Sequence, residues 1–218
     1  MDQVKPKRLL AIGDIHGCLD LLQQLLSEVA PTAEDQLVFL GDYIDRGPDS
    51  RSVIELLLQL QEQFPETVFL RGNHEQMLLD FLDGADSLSF LLNGGAATLK
   101  SYESKIDEKP HIPENHLLFF NSLRTSYFYG DFIFVHAGLR PGLPIEQQAE
   151  RDMLWIRGEF INSDFDWGKT VVFGHSPQPD VLKKKNMIGL DTGAVYNNRL
   201  TCCDLFTGRV WQIAASDN

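Results

Sequence analysis

Five short motifs in the sequence place polar side chains directly after apolar runs and beside glycine. They read GDIHG (13–17), GDYIDRG (41–47), RGNHE (71–75), HAG (136–138) and GHS (174–176). Four of the six histidines belong to these motifs, whereas His111 and His116 do not. A lone histidine after a strand is usually structural, but five such motifs in this order indicate one shared site.

The donor atoms in these motifs suit divalent metal ions. Imidazole nitrogen, carboxylate oxygen and amide oxygen together favour borderline ions such as Mn²⁺, Fe²⁺ or Zn²⁺. Two ions about 3.5–4 Å apart need a carboxylate that can bridge them, and glycine lets backbone and metal approach closely. A structural zinc site is not indicated, because no pair of the three cysteines has ligand spacing.

The elements that must position these motifs alternate along the first third of the chain. Apolar runs predict three strands, at 8–14, 36–42 and 67–73. Apolar residues at helical spacing predict three helices, at 18–29, 49–64 and 74–82. Two β-α-β crossovers with parallel strands follow. The carboxyl ends of such strands share one edge, where open α/β sheets bind ligands.

The second half of the chain has a different pattern. Residues 86–126 look helical and irregular, with NGG at 93–95 as a break. Short strands are predicted at 128–138, 170–176, 187–193, 200–205 and 209–214. The last two flank FTG, which predicts a hairpin. We expect these strands to form a second, largely antiparallel sheet packed on the first, and we place Trp155 and Trp211 in the core.

Length, charge and cysteine content exclude several classes of protein. The chain has 218 residues, which predicts a single domain spanning 1–218. Its net charge is −12 and its one dense basic run is 183–185, so we expect no nucleic-acid partner. We expect no membrane span, because no apolar run approaches ~20 residues. The amino terminus lacks a secretory pattern and three cysteines argue against a disulfide framework, so a cytoplasmic protein is expected.

The five motifs together resemble the signature of the phosphoprotein phosphatase family of dinuclear metallophosphatases. The resemblance runs from about residue 8 to residue 205. RGNHEQM, LLNGG, LWIR and DTGAV are similar to the bacteriophage lambda type of serine/threonine protein phosphatase. The resemblance implies a calcineurin-like metallophosphoesterase fold of class α/β. In that fold a two-sheet β-sandwich is flanked by helices, and the metal site lies at the carboxyl ends of the strands.

The resemblance also implies a role for each polar residue of the motifs. Two divalent ions are expected, with Mn²⁺ favoured and Fe or Zn as alternatives. The ligands implied for the first ion are Asp14 and His16, for the second Asn73, His136 and His175, with Asp42 as the bridge. The catalytic groups implied are His74 as the acid for the leaving oxygen, Asp45 as its partner, and Arg46, Arg71 and Arg157 on the phosphoryl oxygens. A hydroxide between the two ions would attack phosphorus in line.

Three functions are compatible with these motifs. The first is hydrolysis of phosphoserine or phosphothreonine in proteins or peptides, and the second is hydrolysis of diadenosine tetraphosphate, nucleotides or other small phosphate esters by the same fold. The third, a binding module without activity, is disfavoured because every implied ligand and acid is present. Asp45 favours the first, because an alkoxide leaves poorly unless an acid protonates it. The chain is shorter than the eukaryotic members, so we expect no obligate regulatory subunit.

Overall fold

The computed structural model describes residues 5–103 and 110–215 and contains two five-stranded sheets. The first sheet has the spatial order β10 (Val210–Ala214), β9 (Arg199–Asp204), β1 (Leu9–Ile12), β2 (Gln36–Phe39) and β3 (Val68–Phe69). Strands β1, β2 and β3 are parallel, so their carboxyl ends meet at one edge as predicted. β1 is buried along its whole length, as expected of a strand inside a partly parallel sheet.

The last two strands correct one prediction from the sequence. β9 and β10 form the predicted hairpin, but β9 pairs antiparallel with β1 and therefore extends the first sheet. Local alternation marks a strand without specifying its partner, so the sequence pattern alone did not distinguish the two sheets. Cys202 and Cys203 are neighbours in β9 and contribute to different apolar clusters, as the period of a strand requires.

The second sheet is mixed and is not largely antiparallel. Its spatial order is β4 (Ser126–Tyr129), β5 (Phe132–Val135), β6 (Thr170–Phe173), β8 (Met187–Gly189) and β7 (Leu182–Lys184). The strand predicted at 128–138 is a hairpin of β4 and β5, whereas β5, β6 and β8 run parallel. A parallel pair needs a long crossover, and the helical segment between β5 and β6 provides one.

The α-helices lie between the strands in sequence and cover the sheets. Among the described residues they are α1 (Leu19–Val29), α2 (Ser50–Gln63), α3 (Asn73–Leu82), α4 (Ser87–Phe90), α5 (Ala96–Ser101), α6 (Glu114–Ser122), α7 (Glu150–Trp155) and α8 (Gly158–Ile161). The segment Leu91–Gly95, which is kinked at Gly94, joins α4 to α5. α1 buries Leu22, Leu25 and Val29 on one face and ends at Ala30, whose N–H donates to the Leu26 carbonyl. No described helix has the length and apolar character that crossing a bilayer requires.

The apolar core lies on both faces of each sheet. Leu9 and Val38 of the first sheet pack with Phe134 and Val172 of the second, which joins the sheets. Trp211 is buried, as predicted. The prediction for Trp155 is wrong. Trp155 is the last residue of α7 and is 40% exposed, and its ring lies against the His175 ring, with centroids 6.2 Å apart.

Candidate active site

Backbone strain is concentrated in the predicted motifs. Seven non-glycine residues of the described chain have positive φ, and five of them belong to the motifs: His16 (47°), Asp42 (54°), Asp45 (72°), Arg46 (68°) and His175 (63°). Left-handed backbone is unfavourable for residues with a Cβ, and it persists where the surrounding structure enforces it, often at functional sites. The loops after the strands are therefore shaped to aim side chains.

Hydrogen bonds between the loops hold the first two motifs together. The N–H groups of Ile15 and His16 donate to the Asp42 carbonyl, at 3.0 and 2.9 Å. The third motif joins them through Glu75, a fully buried carboxylate. Its oxygens accept the N–H groups of Asp42, Tyr43 and Gly72 at 2.8–2.9 Å. Glu75 therefore fixes the β2 loop to the start of α3.

The first cluster of donor atoms consists of His16, Asp42 and His74, all buried. His16 Nε2 lies 3.5 Å from Asp42 Oδ2, and His74 Nε2 lies 3.9 Å from the same oxygen. His16 donates its Nδ1–H to the Ile44 carbonyl at 2.8 Å, which leaves the Nε2 lone pair directed at the cluster. Such an outer hydrogen bond fixes the tautomer that a metal ligand needs.

The second cluster shares Asp42 with the first and adds His136 and His175. His136 Nδ1 donates to the Leu40 carbonyl at 2.8 Å. Its Nε2 lies 3.0 Å from Asn73 Oδ1, 3.2 Å from His175 Nδ1 and 3.3 Å from Asp42 Oδ1. Four groups that carry lone pairs thus converge within a buried space.

Asp14 lies beside the second cluster but is not one of its members. Both of its oxygens accept the backbone N–H of His175, at 3.1 and 3.0 Å. Gly174 permits this approach, because a Cβ at residue 174 would stand 2.1 Å from Asp14 Oδ1. Asp191 is buried and contributes with Asp42 to a raised pKa of Asp14, for which burial is the main cause.

The charges around the clusters favour a cation. Burial opposes a positive charge on His136, but the Asp42 carboxylate outweighs it and raises the pKa of this imidazole. Burial and then Asp42 raise the pKa of Glu75 to about 7. Buried carboxylates in such proximity need a positive partner to remain ionised. The Nε2 atoms of His74 and His175 are also buried without a hydrogen-bond partner. The residues present therefore fit one or two divalent ions.

His74 and Asp45 form a short, buried pair. His74 Nδ1 lies 2.6 Å from Asp45 Oδ2. Burial disfavours charge on both groups, so it raises the pKa of Asp45 to about 8 and lowers the pKa of His74 to about 4. At neutral pH the pair as a whole is then uncharged and holds two labile protons. One of them can leave through His74 Nε2, which faces the clusters.

The three predicted arginines differ in what they contact. Arg46 Nη1 donates to His16 Nε2 at 2.6 Å, and Arg157 Nη1 donates to the His175 carbonyl at 2.8 Å. These two guanidinium groups therefore adjoin the two clusters. Arg71 Nη1 instead contacts Gln76 Oε1 at 3.0 Å and Glu150 Oε1 at 3.5 Å. The structure brings Arg46 and Arg157 to the site and holds Arg71 by other partners.

Sequence reasoning missed three residues that shape the site. Glu75 stands inside the RGNHE motif, but nothing in its position indicated a buried acceptor for three backbone N–H groups. Thr98 and Ser50 are buried polar residues hydrogen-bonded to Asp45. Thr98 lies 53 residues from Asp45 along the chain, so only the fold reveals the contact. The nearby NGG break was the one local signal.

Comparison with known proteins agrees with this geometry. Residues 7–202 match the model of the calcineurin-like phosphoesterase family. The chain is 32% identical to serine/threonine-protein phosphatase 1 of Salmonella typhimurium over 89% of this chain and 90% of that protein. It is 29% identical to bis(5'-nucleosyl)-tetraphosphatase PrpE (asymmetrical) of Oceanobacillus iheyensis, over 87% of this chain and 85% of that protein.

Solved structures show the same fold. A crystal structure provisionally assigned as a diadenosine tetraphosphatase superposes with a TM-score of 0.78 and 26% identity, covering 100% of this chain and 97% of the other. A cold-active protein tyrosine phosphatase mutant superposes with a TM-score of 0.66 and 18% identity, over 97% and 81%. The motifs, their convergence and these matches agree. The chain belongs to the calcineurin-like phosphoesterase family and is a metal-dependent phosphoester hydrolase.

Proposed function

We propose that this hydrolase is a serine/threonine protein phosphatase. The observation that carries the proposal is the His74–Asp45 pair, with His74 Nε2 free of any hydrogen-bond partner and facing the clusters of donor atoms. A serine or threonine alkoxide is a poor leaving group, so its departure gains about 10²–10⁴ in rate from a positioned acid. A phosphate leaving group in a dinucleoside polyphosphate needs such an acid far less.

The remaining predicted residues have roles in this proposal. His16, Asp42, His136 and His175, which belong to the two clusters with Asp42 in common, would hold the metal ions together with Asp14 and Asn73. We assign His74, the third member of the first cluster, to the acid and not to the ion, because its Nδ1 is paired with Asp45. When bound, the ions would acidify a water molecule and neutralise charge on the phosphoryl group. His and carboxylate donors suit Mn²⁺, which we propose as the native ion, and also Fe²⁺ and Zn²⁺.

Arginine side chains would orient the phosphoryl group. Arg46 and Arg157 stand on opposite clusters, and a guanidinium fork matches the oxygens of phosphate while staying charged. Phosphoryl transfer depends mainly on such positioning and charge neutralisation. We propose that Arg71 acts on the phosphoryl group after it exchanges Glu150 for substrate, since that ion pair is 3.5 Å long and Glu150 is half-exposed.

A second candidate is hydrolysis of diadenosine tetraphosphate. The observation that favours it is the exposed Trp155, whose ring lies beside His175 and offers a face on which a base could stack. The exposed Tyr196 lies under Arg46 near the other cluster, with Cζ 5.7 Å from the ring centroid. Both aromatic groups could equally contact a peptide, so they do not outweigh the His74–Asp45 pair.

A substrate comparison tests the proposal. Metal-stripped protein is reloaded with Mn²⁺, Fe²⁺ or Zn²⁺ and assayed on a phosphoserine peptide, a phosphothreonine peptide and diadenosine tetraphosphate. We expect the highest kcat/KM on the phosphopeptides with Mn²⁺, and none without metal. A higher kcat/KM on diadenosine tetraphosphate would overturn the proposal in favour of the second candidate.

We also propose a cytoplasmic location. Cys18, Cys202 and Cys203 are all unpaired thiols, which suits a reducing compartment. Burial raises the pKa of the Cys18 thiol to about 11, so this half-buried side chain is not a reactive thiolate. The three unpaired thiols therefore support the proposed cytoplasmic location.

A further inference from the structure

Asp45 belongs to a hydrogen-bond network that extends beyond its contact with His74. Its side chain is fully buried, and its two carboxylate oxygens have different partners. Oδ2 accepts from His74 Nδ1 and Oδ1 accepts from the Thr98 hydroxyl, both at 2.6 Å. The Asp45 N–H donates to Thr98 Oγ1 at 2.9 Å and to Ser50 Oγ at 3.1 Å.

In the form of the pair that can donate from Nε2, His74 carries both ring protons and Asp45 is a carboxylate, and this form fixes the direction of each bond in the network. A hydroxyl has one proton to donate, and Thr98 gives it to Asp45 Oδ1. Ser50 Oγ lies 3.0 Å from Thr98 Oγ1, so Ser50 must be the donor of that bond. The donors then run from Ser50 to Thr98 to Asp45, and from the other side His74 donates to the same carboxylate.

The segment that carries Thr98 also shapes the backbone beside Asp45. The Gly94 carbonyl accepts the Arg46 N–H at 3.2 Å, and Gly94 itself has φ of 102°. A Cβ on Gly94 would stand 2.7 Å from Arg46 Cγ and 2.9 Å from Arg46 N. Residues 94–98 thus hold two successive left-handed residues, Asp45 and Arg46, from one side.

We infer that Thr98 is a positioning residue for the leaving-group proton. Its hydroxyl, backed by Ser50, orients the Asp45 carboxylate and keeps it an acceptor for the His74 Nδ1–H. The His74 ring is thereby held with Nε2 toward the substrate. This inference rests on the proposed function, in which His74 protonates the leaving oxygen.

The test compares two leaving groups across matched variants of the metal-loaded protein. Thr98→Val removes the hydroxyl and keeps the shape, whereas Thr98→Ser restores the hydroxyl. Thr201→Val is the control, because Thr201 of β9 is equally buried and its hydroxyl bonds at 2.6 Å to Thr192, in the loop after β8. Each variant is assayed on a phosphoserine peptide and on p-nitrophenyl phosphate, with metal content measured in parallel.

We expect Thr98→Val to lower kcat on the phosphopeptide by about 10- to 100-fold, less than loss of the acid itself. The fall on p-nitrophenyl phosphate should be below about 3-fold, since that leaving group departs without a proton. Thr98→Ser should recover most of the phosphopeptide rate, and Thr201→Val should leave the ratio of the two rates unchanged. Metal content should stay that of the wild type in all variants.

Equal falls on both substrates, no fall on either, or no recovery in Thr98→Ser would overturn the inference. If Thr98→Val does not fold, Ser50→Ala reports on the same network, and an unchanged ratio in that variant also overturns it. His74→Asn is assayed alongside. A shifted ratio in His74→Asn without one in Thr98→Val rejects the role of Thr98 alone, whereas an unshifted ratio in His74→Asn rejects the acid of the proposed function.

Discussion

The two ends of the first sheet differ in whether their buried polar side chains have hydrogen-bond partners. At the amino end, Asp35 precedes β2 and accepts from Arg8 Nε and Nη2 at 2.9 and 2.6 Å. Thr32 adds its N–H at 2.7 Å and its hydroxyl at 3.0 Å. Burial alone would raise the pKa of Asp35, but these hydrogen bonds from Arg8 and Thr32 lower it. This carboxylate has a full set of partners.

At the carboxyl end the polar groups are left incomplete. Four of the five buried side-chain atoms without a partner in the described chain lie at the carboxyl ends of strands: Arg71 Nε and His74 Nε2 after β3 of the first sheet, and His175 Nε2 and Ser176 Oγ after β6 of the second. Thr67 Oγ1, before β3, is the exception. Unsatisfied buried groups destabilise a fold by about 1–3 kcal/mol each. The difference indicates that the amino end serves stability and the carboxyl end serves binding.

Asp42→Asn should produce the largest effect, and this effect should be confined to the site at the carboxyl ends of the strands. The variant removes the one carboxylate common to both donor clusters. Loss of an outer partner of a metal ligand costs about 10- to 100-fold in metal affinity, so loss of this ligand should cost more than about 100-fold in activity together with bound metal. Elemental analysis and kcat/KM measure both. Asp20→Asn, on the exposed side of α1, is the control; two ions still bound per chain in Asp42→Asn would contradict the bridging role.

Glu75→Gln should have the next largest effect. The variant replaces one of the carboxylate oxygens that accept backbone N–H groups with an NH₂ group that cannot accept them. We expect metal affinity to fall by about 10- to 100-fold, as for other outer-shell changes, with activity largely recovered at high metal concentration. Titration of activity with Mn²⁺ measures the shift. Glu55→Gln changes a half-exposed helix ion pair and should leave the titration unchanged; an identical curve for Glu75→Gln would show that Glu75 does not position Asp42.

Asp35→Asn should have the smallest effect on activity and should act on stability. Loss of hydrogen bonds to a charged group lowers the free energy of unfolding by about 2–3 kcal/mol, while kcat on either substrate should not change. Because the folded state depresses the pKa of Asp35, its contribution is complete at neutral pH and is lost below about pH 4. The difference between wild type and variant should therefore shrink in acid.

Urea unfolding at several pH values measures this difference. Glu34→Gln is the matched control, because the Lys7–Glu34 pair is 3.8 Å long and exposed, and such pairs contribute at most about 1 kcal/mol. If the fall in kcat in Asp35→Asn, expressed as an increase in activation free energy, were as large as its loss of unfolding free energy, the two ends would not be independent.

The sequence predicted the carboxyl end better than the rest of the molecule. Strands followed by Gly-Asp or Gly-Asn motifs deliver their polar residues to one edge because parallel strands share a direction. That rule placed Asp14, His16, Asp42 and Asn73 near one another without further information. The strand predicted at 67–73 is shorter in the structure. β3 ends at Phe69, and Asn73 and His74 are the first residues of α3.

Elsewhere, long-range pairing decided the outcome. β9 and β10 are short, mostly apolar runs like the strands of the second sheet, so only the pairing of β9 with β1 assigns them. Trp155 is a large aromatic residue of the kind usually found in a core, but α7 buries Leu154 instead. Thr98 gave no signal of its own, because its role depends on contact with a loop far away in sequence. The single-domain prediction for residues 1–218 stays a prediction.

The central claim, that His74 protonates the leaving oxygen, is tested most directly by His74→Asn. The variant should keep both metal ions, since Asn73, and not His74, is the proposed ligand of that motif. Its kcat on a phosphoserine peptide should fall by about 10²–10⁴-fold. The fall on p-nitrophenyl phosphate should be much smaller, because that leaving group has a pKa of about 7, roughly three units below a tyrosine phenol. Equal falls on both substrates at unchanged metal content would contradict the claim.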